Sequence, residues 1–150
     1  MKRDDKKQWI AIFILLMFGG STIAIAISSV MPSNAEDKLI FDEPLSPLDE
    51  ATFFKQNMVV VRVYYDEPSE TINTLASLIN TLNSKMMLER INLNQYPEIY
   101  DSIKDNFDTI ENPMILIRGS TEIYLNGEQD EADLLEKICS VYFQEIDECY

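Results

Sequence analysis

Two cysteines are the side chains of this chain with the most distinctive chemistry. Cys139 and Cys149 lie too far apart in the sequence to form a Cys-x-x-Cys redox pair. The 150 residues include no histidine, which removes the commonest metal ligand and the usual general base near neutral pH. The loop pattern of an EF-hand calcium site is also missing. The residue types therefore predict neither a resident metal ion nor a cofactor.

The same cysteines allow two structural interpretations. An oxidising compartment would favour a structural disulfide between them. A continuous helix would hold the two residues about 15 Å apart along its axis, beyond the reach of a disulfide. A bridge therefore requires the helix to end near Glu145 and the tail to fold back. The alternative is a buried Cys139 with a free or intermolecular Cys149, and the sequence favours neither interpretation.

A second candidate for chemistry is the carboxylate pair Asp66 and Glu67, which follows Tyr65. Paired carboxylates perform acid–base catalysis when their environments push their pKa values apart. Acidic residues are also favoured at the start of a helix, near the positive end of its dipole. Because no nucleophile or histidine accompanies the pair, we interpret it as part of a solvated helix start.

The charge of the chain excludes one class of partner. The sequence carries 12 Lys and Arg against 26 Asp and Glu, a formal net charge of −14. Four of those cations and two of those acids lie in the first seven residues, so the rest of the chain is more acidic still. Nucleic-acid binding needs clustered Lys and Arg to neutralise phosphates. We therefore expect no nucleic-acid partner and interpret the acidic surface as a solvated one.

The N-terminal segment predicts attachment to a membrane. A basic stretch, residues 1–8, precedes an uncharged stretch, residues 9–31, which at about 1.5 Å per residue can cross the roughly 30 Å hydrocarbon core. The basic residues should stay in the cytoplasm, which places the C-terminal domain outside it, in an extracellular, periplasmic or luminal space. The alternative is a cleaved signal peptide, although such peptides have apolar regions of only about 7–15 residues.

Small residues recur on one side of this predicted transmembrane helix. Gly20, Ala24 and Ser28 share a helix face, an arrangement that lets helices approach closely in lipid. Gly, Ala and Ser are also common in membrane helices generally, and we favour that plainer explanation over a specific partner helix. A short polar tether, residues 32–37, connects the helix to residues 38–150.

The remaining residues alternate between strand and helix patterns, as is typical of an α/β domain. Met58 to Tyr65 is apolar nearly throughout, as expected of a central strand buried on both faces. We attribute the intruding Arg62 to a nearby exposed edge or to a side chain that reaches solvent. Ser46 followed by Pro47 predicts a helix start.

The complete predicted order is β-α-β-α-β-α-β-β-α, with a last helix from Asp130 to about Ile146. This order and several local motifs resemble the thioredoxin-like superfamily. Ile91-Asn-Leu-Asn-Gln-Tyr-Pro97 resembles its strand end followed by Gln-x-Pro, and Phe107 with Asn112-Pro113 resembles its aromatic residue and cis-proline loop. The resemblance implies a central mixed sheet flanked by helices over residues 38–150, preceded here by one transmembrane helix.

The chain departs from that family where the redox members carry Trp-Cys-x-x-Cys. The corresponding segment, Tyr65 to Glu70, contains no cysteine, whereas thiol–disulfide exchange needs an attacking thiolate and a resolving partner. The family's buried acid would fall near Val63, which is apolar. The resemblance therefore implies a non-catalytic member that is not an enzyme.

On this basis we expect a membrane-anchored, redox-inactive binding or assembly module outside the cytoplasm. Its partner would be a protein or an extended peptide, for example within a membrane complex, that pairs with the sheet as an added strand. We expect the contact surface at Tyr64, Tyr65, Asp66, Pro68, Asn112 and Pro113. Two other functions stay open: an oxidoreductase that uses Cys139 and Cys149, and a low-affinity Ca²⁺ buffer resembling the acidic repeats of calsequestrin.

Overall fold

The computed structural model describes residues 38–150, and there the strands and helices alternate as predicted. The strands are β1 (Ile40–Phe41), β2 (Val59–Tyr65), β3 (Met86–Asn92), β4 (Met114–Arg118) and β5 (Glu122–Asn126). The α-helices are α1 (Pro47–Lys55), α2 (Glu70–Thr81), α3 (Pro97–Ile103) and α4 (Glu131–Ser140). Short 3₁₀ turns cover Lys104–Asn106 and Asp147–Cys149.

The five strands form one mixed sheet in the order β1-β3-β2-β4-β5. Strand β3 runs parallel to both β1 and β2, whereas β4 is antiparallel to β2 and to β5. The predicted mixed sheet is therefore confirmed. Strand β2 lies at its centre because its apolar run can be buried on both faces.

Each face of the sheet has its own helices and its own apolar core. Val61 and other odd-numbered residues of β2 pack with Leu75 of α2 and Leu134 of α4. On the opposite face, Val60 packs against residues of α1, and Tyr64 packs against residues of α3. The period of two along a strand thus distributes one apolar run between two cores.

Polar side chains set the helix starts. The hydroxyl of Ser46 accepts a hydrogen bond from the Asp49 N–H, and Pro47 occupies the first helical position of α1. Ser69 begins α2 in the same way, and Asp130 begins α4. Side chains of this type satisfy N–H groups that have no partner within the helix. The predicted start of α1 is confirmed.

The last helix is shorter than the sequence predicts, since α4 ends at Ser140 and not near Ile146. The Val141 carbonyl accepts a hydrogen bond from the Ser120 N–H at 2.7 Å, so the chain leaves the helix to meet the β4–β5 turn. A contact distant in sequence ends this helix, and no local breaker signals it.

None of the helices within residues 38–150 has the length and hydrophobicity needed to cross a bilayer. The predicted transmembrane helix (residues 9–31), its small residues Gly20, Ala24 and Ser28, the basic N-terminus and the tether all lie outside the described residues.

Candidate functional site

A cis peptide bond lies where the loop before β4 meets the end of β2. The bond joins Asn112 to Pro113, the position at which the resemblance implies a cis-proline. Pro113 is buried, and its carbonyl accepts a hydrogen bond from the Gly127 N–H at 2.9 Å, which connects the loop to the end of β5.

The Asn112 side chain holds the segment that follows β2. Its Oδ1 accepts from the Asp66 N–H at 3.1 Å, and its Nδ2 donates to the Glu67 carbonyl at 3.2 Å. From the other side, Asn94 Nδ2 donates to the Asp66 carbonyl at 2.9 Å. Two asparagines therefore fix the backbone of this segment. We call the surface formed by residues 65–68 and 110–113 the cis-proline edge.

The backbone of Asn112 has no backbone partner among the residues that the structure describes. Asn112 is exposed, and within residues 38–150 neither its N–H nor its carbonyl takes part in a backbone hydrogen bond. Met114, the first residue of β4, already pairs with Tyr64 of β2 and with Asn126 of β5, so an extended segment could pair here only with the backbone of Asn112, ahead of β4.

The predicted contact residues differ in their access to a partner. Asp66, Pro68 and Asn112 are exposed and Tyr65 is partly buried, so these four can touch a bound segment. Pro113 is buried beneath them. Tyr64 is only 3% exposed and its ring packs edge-on against Phe107, with ring centroids 6.5 Å apart. It supports the edge from the core and offers little contact surface, because strand alternation turns it away from the side that Tyr65 faces.

Asp66 and Glu67 are both exposed, and the α2 N-cap is Ser69. The acid that contacts the start of α2 is instead Glu128. Its carboxylate accepts a hydrogen bond from the Thr71 hydroxyl at 2.6 Å and another from the Thr71 N–H at 3.1 Å. Hydrogen bonds from Thr71 and Ser69 lower the pKa of Glu128. Within the described residues, no group of three or more potential ligands is arranged to hold a metal ion.

A partly buried ion cluster lies between the sheet and α1, at residues to which the sequence assigned no site. Arg62 Nε donates to Glu89 at 2.7 Å, and the same guanidinium pairs with Glu50. Arg118 bonds the other oxygen of Glu50 at 2.7 Å and also pairs with Glu122 at 2.9 Å. Glu89 is completely buried. We call these five residues the ion cluster.

The ion cluster overturns the explanation that the sequence suggested for Arg62. This residue lies on the central strand, its side chain is 17% exposed, and the parallel register places it directly beside Glu89. The signal available in the sequence was charge within two apolar strands: Arg62 in β2, and Glu89 followed by Arg90 in β3. Only the register between those strands, however, makes Arg62 and Glu89 neighbours.

Burial and pairing act in opposite directions on Glu89. Burial raises the pKa of its carboxyl, whereas Arg62 and the hydrogen bond from the Leu45 N–H (2.7 Å) oppose that rise. Burial likewise raises the pKa of Tyr64, against the effect of Arg62. Arg62 of the ion cluster therefore affects Tyr64, the buried residue that supports the cis-proline edge.

The two cysteines form a disulfide, one of the two alternatives that the sequence left open, with Cα atoms 5.7 Å apart. The tail between them folds against the beginnings of β2 and β3: Asn57 exchanges hydrogen bonds with Gln144, and the Tyr142 hydroxyl donates to the Lys85 carbonyl at 3.1 Å. Strand β2 has seven residues and spans roughly 20 Å. The disulfide and the cis-proline edge therefore occupy opposite ends of the sheet.

No protein-family model and no curated protein matches the sequence. Among solved structures, a chloroplastic thioredoxin z is similar over 67% of this chain and 94% of its own, with 11% identity and a TM-score of 0.52. A variant thioredoxin from Halobacterium salinarum is similar over 72% of this chain and 94% of its own, with 18% identity and a TM-score of 0.50.

Residues 38–150 therefore have the thioredoxin-like fold. The strand order, the cis-proline and these similarities agree on that class. In this chain Asp66-Glu67-Pro68-Ser69 follows the central strand, and the disulfide lies at the opposite end of the sheet.

Proposed function

We propose that this chain is a membrane-anchored, redox-inactive thioredoxin-like module on the extracytoplasmic side, which binds an extended segment of a partner protein at the cis-proline edge. The observation that carries the proposal is the environment of Asn112. Its side chain holds residues 66–67 in place, while its own backbone N–H and carbonyl have no backbone partner within residues 38–150. A preorganised backbone of this kind is suited to pairing with an extended segment.

The absence of thiols from this edge supports a binding role. Residues 65–70 contain no cysteine. Both cysteines of the chain are joined to each other at the other end of the sheet. Without a thiolate beside Pro113, a segment bound there has no nucleophile with which to exchange a disulfide.

Two observations support a location outside the cytoplasm. Disulfides persist in oxidising compartments, and Cys139 is bonded to Cys149. The basic residues 1–8 followed by the apolar residues 9–31 favour the same orientation.

Site-specific crosslinking in intact membranes tests the binding surface. A photoreactive residue at position 66 or 112 of the full chain should capture the same partner protein. A control at the exposed Glu136 on α4 should not. Failure of both edge positions to capture a protein, or equal capture by the control, would show that the surface is wrongly placed.

A second candidate function is thiol–disulfide exchange by the cysteine pair itself. Cys139 and Cys149 are each partly exposed, and a cavity of about 320 Å³ borders them. Disulfide reduction or isomerisation by the full chain that disappears in a Cys139→Ser/Cys149→Ser variant would establish this activity and overturn the non-catalytic proposal. Calorimetry at millimolar Ca²⁺ tests the third function that the sequence left open, a low-affinity Ca²⁺ buffer. Heat from Ca²⁺ uptake would favour that function.

A further inference from the structure

The cis-proline edge includes apolar side chains that are exposed or partly exposed. Ile110 is 53% exposed, although it is a large apolar side chain only two residues before Asn112. Pro68 is exposed and follows Glu67, whose carbonyl is bonded to the Asn112 side chain. Tyr65 is partly exposed at the end of β2. The cis-proline edge thus combines an unpaired backbone with an apolar rim, which suits an extended segment with at least one apolar side chain.

Carboxylates lie on both sides of this unpaired backbone. On the β2 side, the backbones of Asp66 and Glu67 are hydrogen-bonded to the Asn112 side chain, and both residues are exposed. Glu111 precedes Asn112, and its carboxylate lies beside Gly127, on the β5 side. Within residues 38–150, none of these three acids takes part in an ion pair.

Few basic residues lie in the segments that build this end of the domain. Residues 63–84, 91–103, 105–117 and 119–136 contain no Lys or Arg, and Lys104, which lies between two of these segments, pairs with Asp101. Four cations lie instead towards the other end of the sheet, where α1 and α4 end, β3 begins and β4 finishes: Lys55, Lys85, Arg118 and Lys137. There Lys85 pairs with Glu148, and Arg118 pairs with Glu50 and Glu122, so the two ends of the sheet differ in how far their acids are paired with cations.

We propose that the segment bound at the cis-proline edge is basic. Its backbone pairs with Asn112, an apolar side chain covers the rim formed by Tyr65, Pro68 and Ile110, and its Lys or Arg side chains meet Asp66, Glu67 and Glu111. This inference rests on the proposed function and adds the chemistry of the partner. Complementary charge accelerates the encounter and rejects like-charged competitors. An acidic segment would place its own carboxylates against those of Asp66, Glu67 and Glu111, which form no ion pair within residues 38–150.

Three synthetic peptides test this assignment against the full-length chain. Each alternates valine with a second residue, which is lysine, glutamate or serine, so that the strand pattern is constant and only the charge changes. Amide chemical shifts report where each peptide binds. The lysine peptide should shift the amides of Asp66 and Asn112 and bind on the order of tenfold more tightly than the serine peptide, and the glutamate peptide should not bind.

A matched pair of variants separates local charge from overall charge. Asp66→Asn/Glu67→Gln/Glu111→Gln removes three acids at the edge. Glu43→Gln/Glu136→Gln/Glu145→Gln removes three exposed acids elsewhere. Affinity for the lysine peptide should fall on the order of tenfold in the first variant and change little in the second. Raising the salt concentration should weaken binding to the wild-type chain.

The outcomes distinguish this inference from the proposed function. A serine peptide that binds the edge as tightly as the lysine peptide, or equal affinities of the two variants, would overturn the basic partner and leave the binding edge standing. Shifts at the edge with Ca²⁺ alone and none with the lysine peptide would assign the acids to a cation instead. Binding of no peptide at Asn112, whatever its charge, would contradict the proposed function itself.

Discussion

Replacing Arg62 by methionine would leave buried carboxylates without their shared cation. Arg62 pairs with Glu89, which is completely buried, and with Glu50, which is 5% exposed. Methionine retains most of the apolar stem of arginine and its length, so the substitution removes charge and hydrogen bonds with little loss of volume. Arg118 would still pair with Glu50. The main cost therefore falls on Glu89, which would retain only the hydrogen bond from the Leu45 N–H.

The expected loss is large for a domain of this size. Removing one partner of a buried ion pair costs about 3–5 kcal/mol, because the other charge stays buried without compensation. The whole free energy of unfolding of such a domain is about 5–15 kcal/mol. Arg62→Met should therefore lower it by about 3–5 kcal/mol at neutral pH. Adding Glu89→Leu should recover about 2 kcal/mol of that loss, since the unpaired charge is then gone.

The loss should also depend on pH. Burial raises the pKa of Glu89 in the folded state, so its contribution to stability falls as pH rises through that folded value. In Arg62→Met, the charge and hydrogen bond that oppose this rise are removed, so the pKa of Glu89 in the folded state rises further. The stability difference between wild type and variant should therefore widen as the pH increases from about 5 to neutrality. It should shrink as the pH approaches about 4.3, the ordinary value for glutamate.

Urea denaturation of the full-length chain, followed by far-UV circular dichroism at several pH values, measures these differences. Arg90→Met is the matched control, because Arg90 pairs with Asp42, whose side chain is 66% exposed. That control should lose no more than about 1 kcal/mol. If Arg62→Met loses no more than the control, or if its loss does not change with pH, the ion cluster does not stabilise the fold as described.

Three further variants test other parts of the domain by the same denaturation assay. Cys139→Ser/Cys149→Ser should lower the free energy of unfolding by about 2.5–3 kcal/mol, from loop entropy alone, and reducing agent should then have no additional effect. Gly119→Ala should cost about 1–3 kcal/mol, since its new Cβ would collide with the Val141 carbonyl, and protection of the Ser120 amide from hydrogen exchange should fall. Glu128→Gln should flatten the acid side of the stability profile: hydrogen bonds lower the pKa of Glu128, so its contribution is present above the unfolded pKa and is lost as pH falls through the folded one.

Much of the architecture could be predicted from local patterns. Apart from the cis-proline at Asn112-Pro113, which the resemblance to the thioredoxin-like superfamily implied, local signals sufficed: the apolar run of β2 indicated a central strand, and Ser46 and Pro47 indicated the start of α1. These features follow from hydrophobic periodicity, capping and backbone preference, which act among residues close in sequence. For that reason the element order could be predicted before any contact was known.

The candidate site could be predicted in position but not in detail. The sequence placed Tyr64 and Tyr65 together on the contact surface, whereas the structure buries Tyr64 and leaves Tyr65 partly exposed. It gave no indication that Asn112 bonds to the backbone of residues 66–67. A turn signal locates a loop along the chain, but it does not specify which distant backbone the loop meets.

The sequence by itself determined the class of the domain, its acidic charge, the missing thiols at the edge and the order of its elements. The tertiary structure decided the pairings between residues far apart in the chain: Arg62 with Glu89, Asn57 with Gln144, and Cys139 with Cys149. Each depends on strand register or on the point at which a helix ends. Those are properties of the assembled sheet, because the burial that stabilises a pairing exists only once both partners are in place.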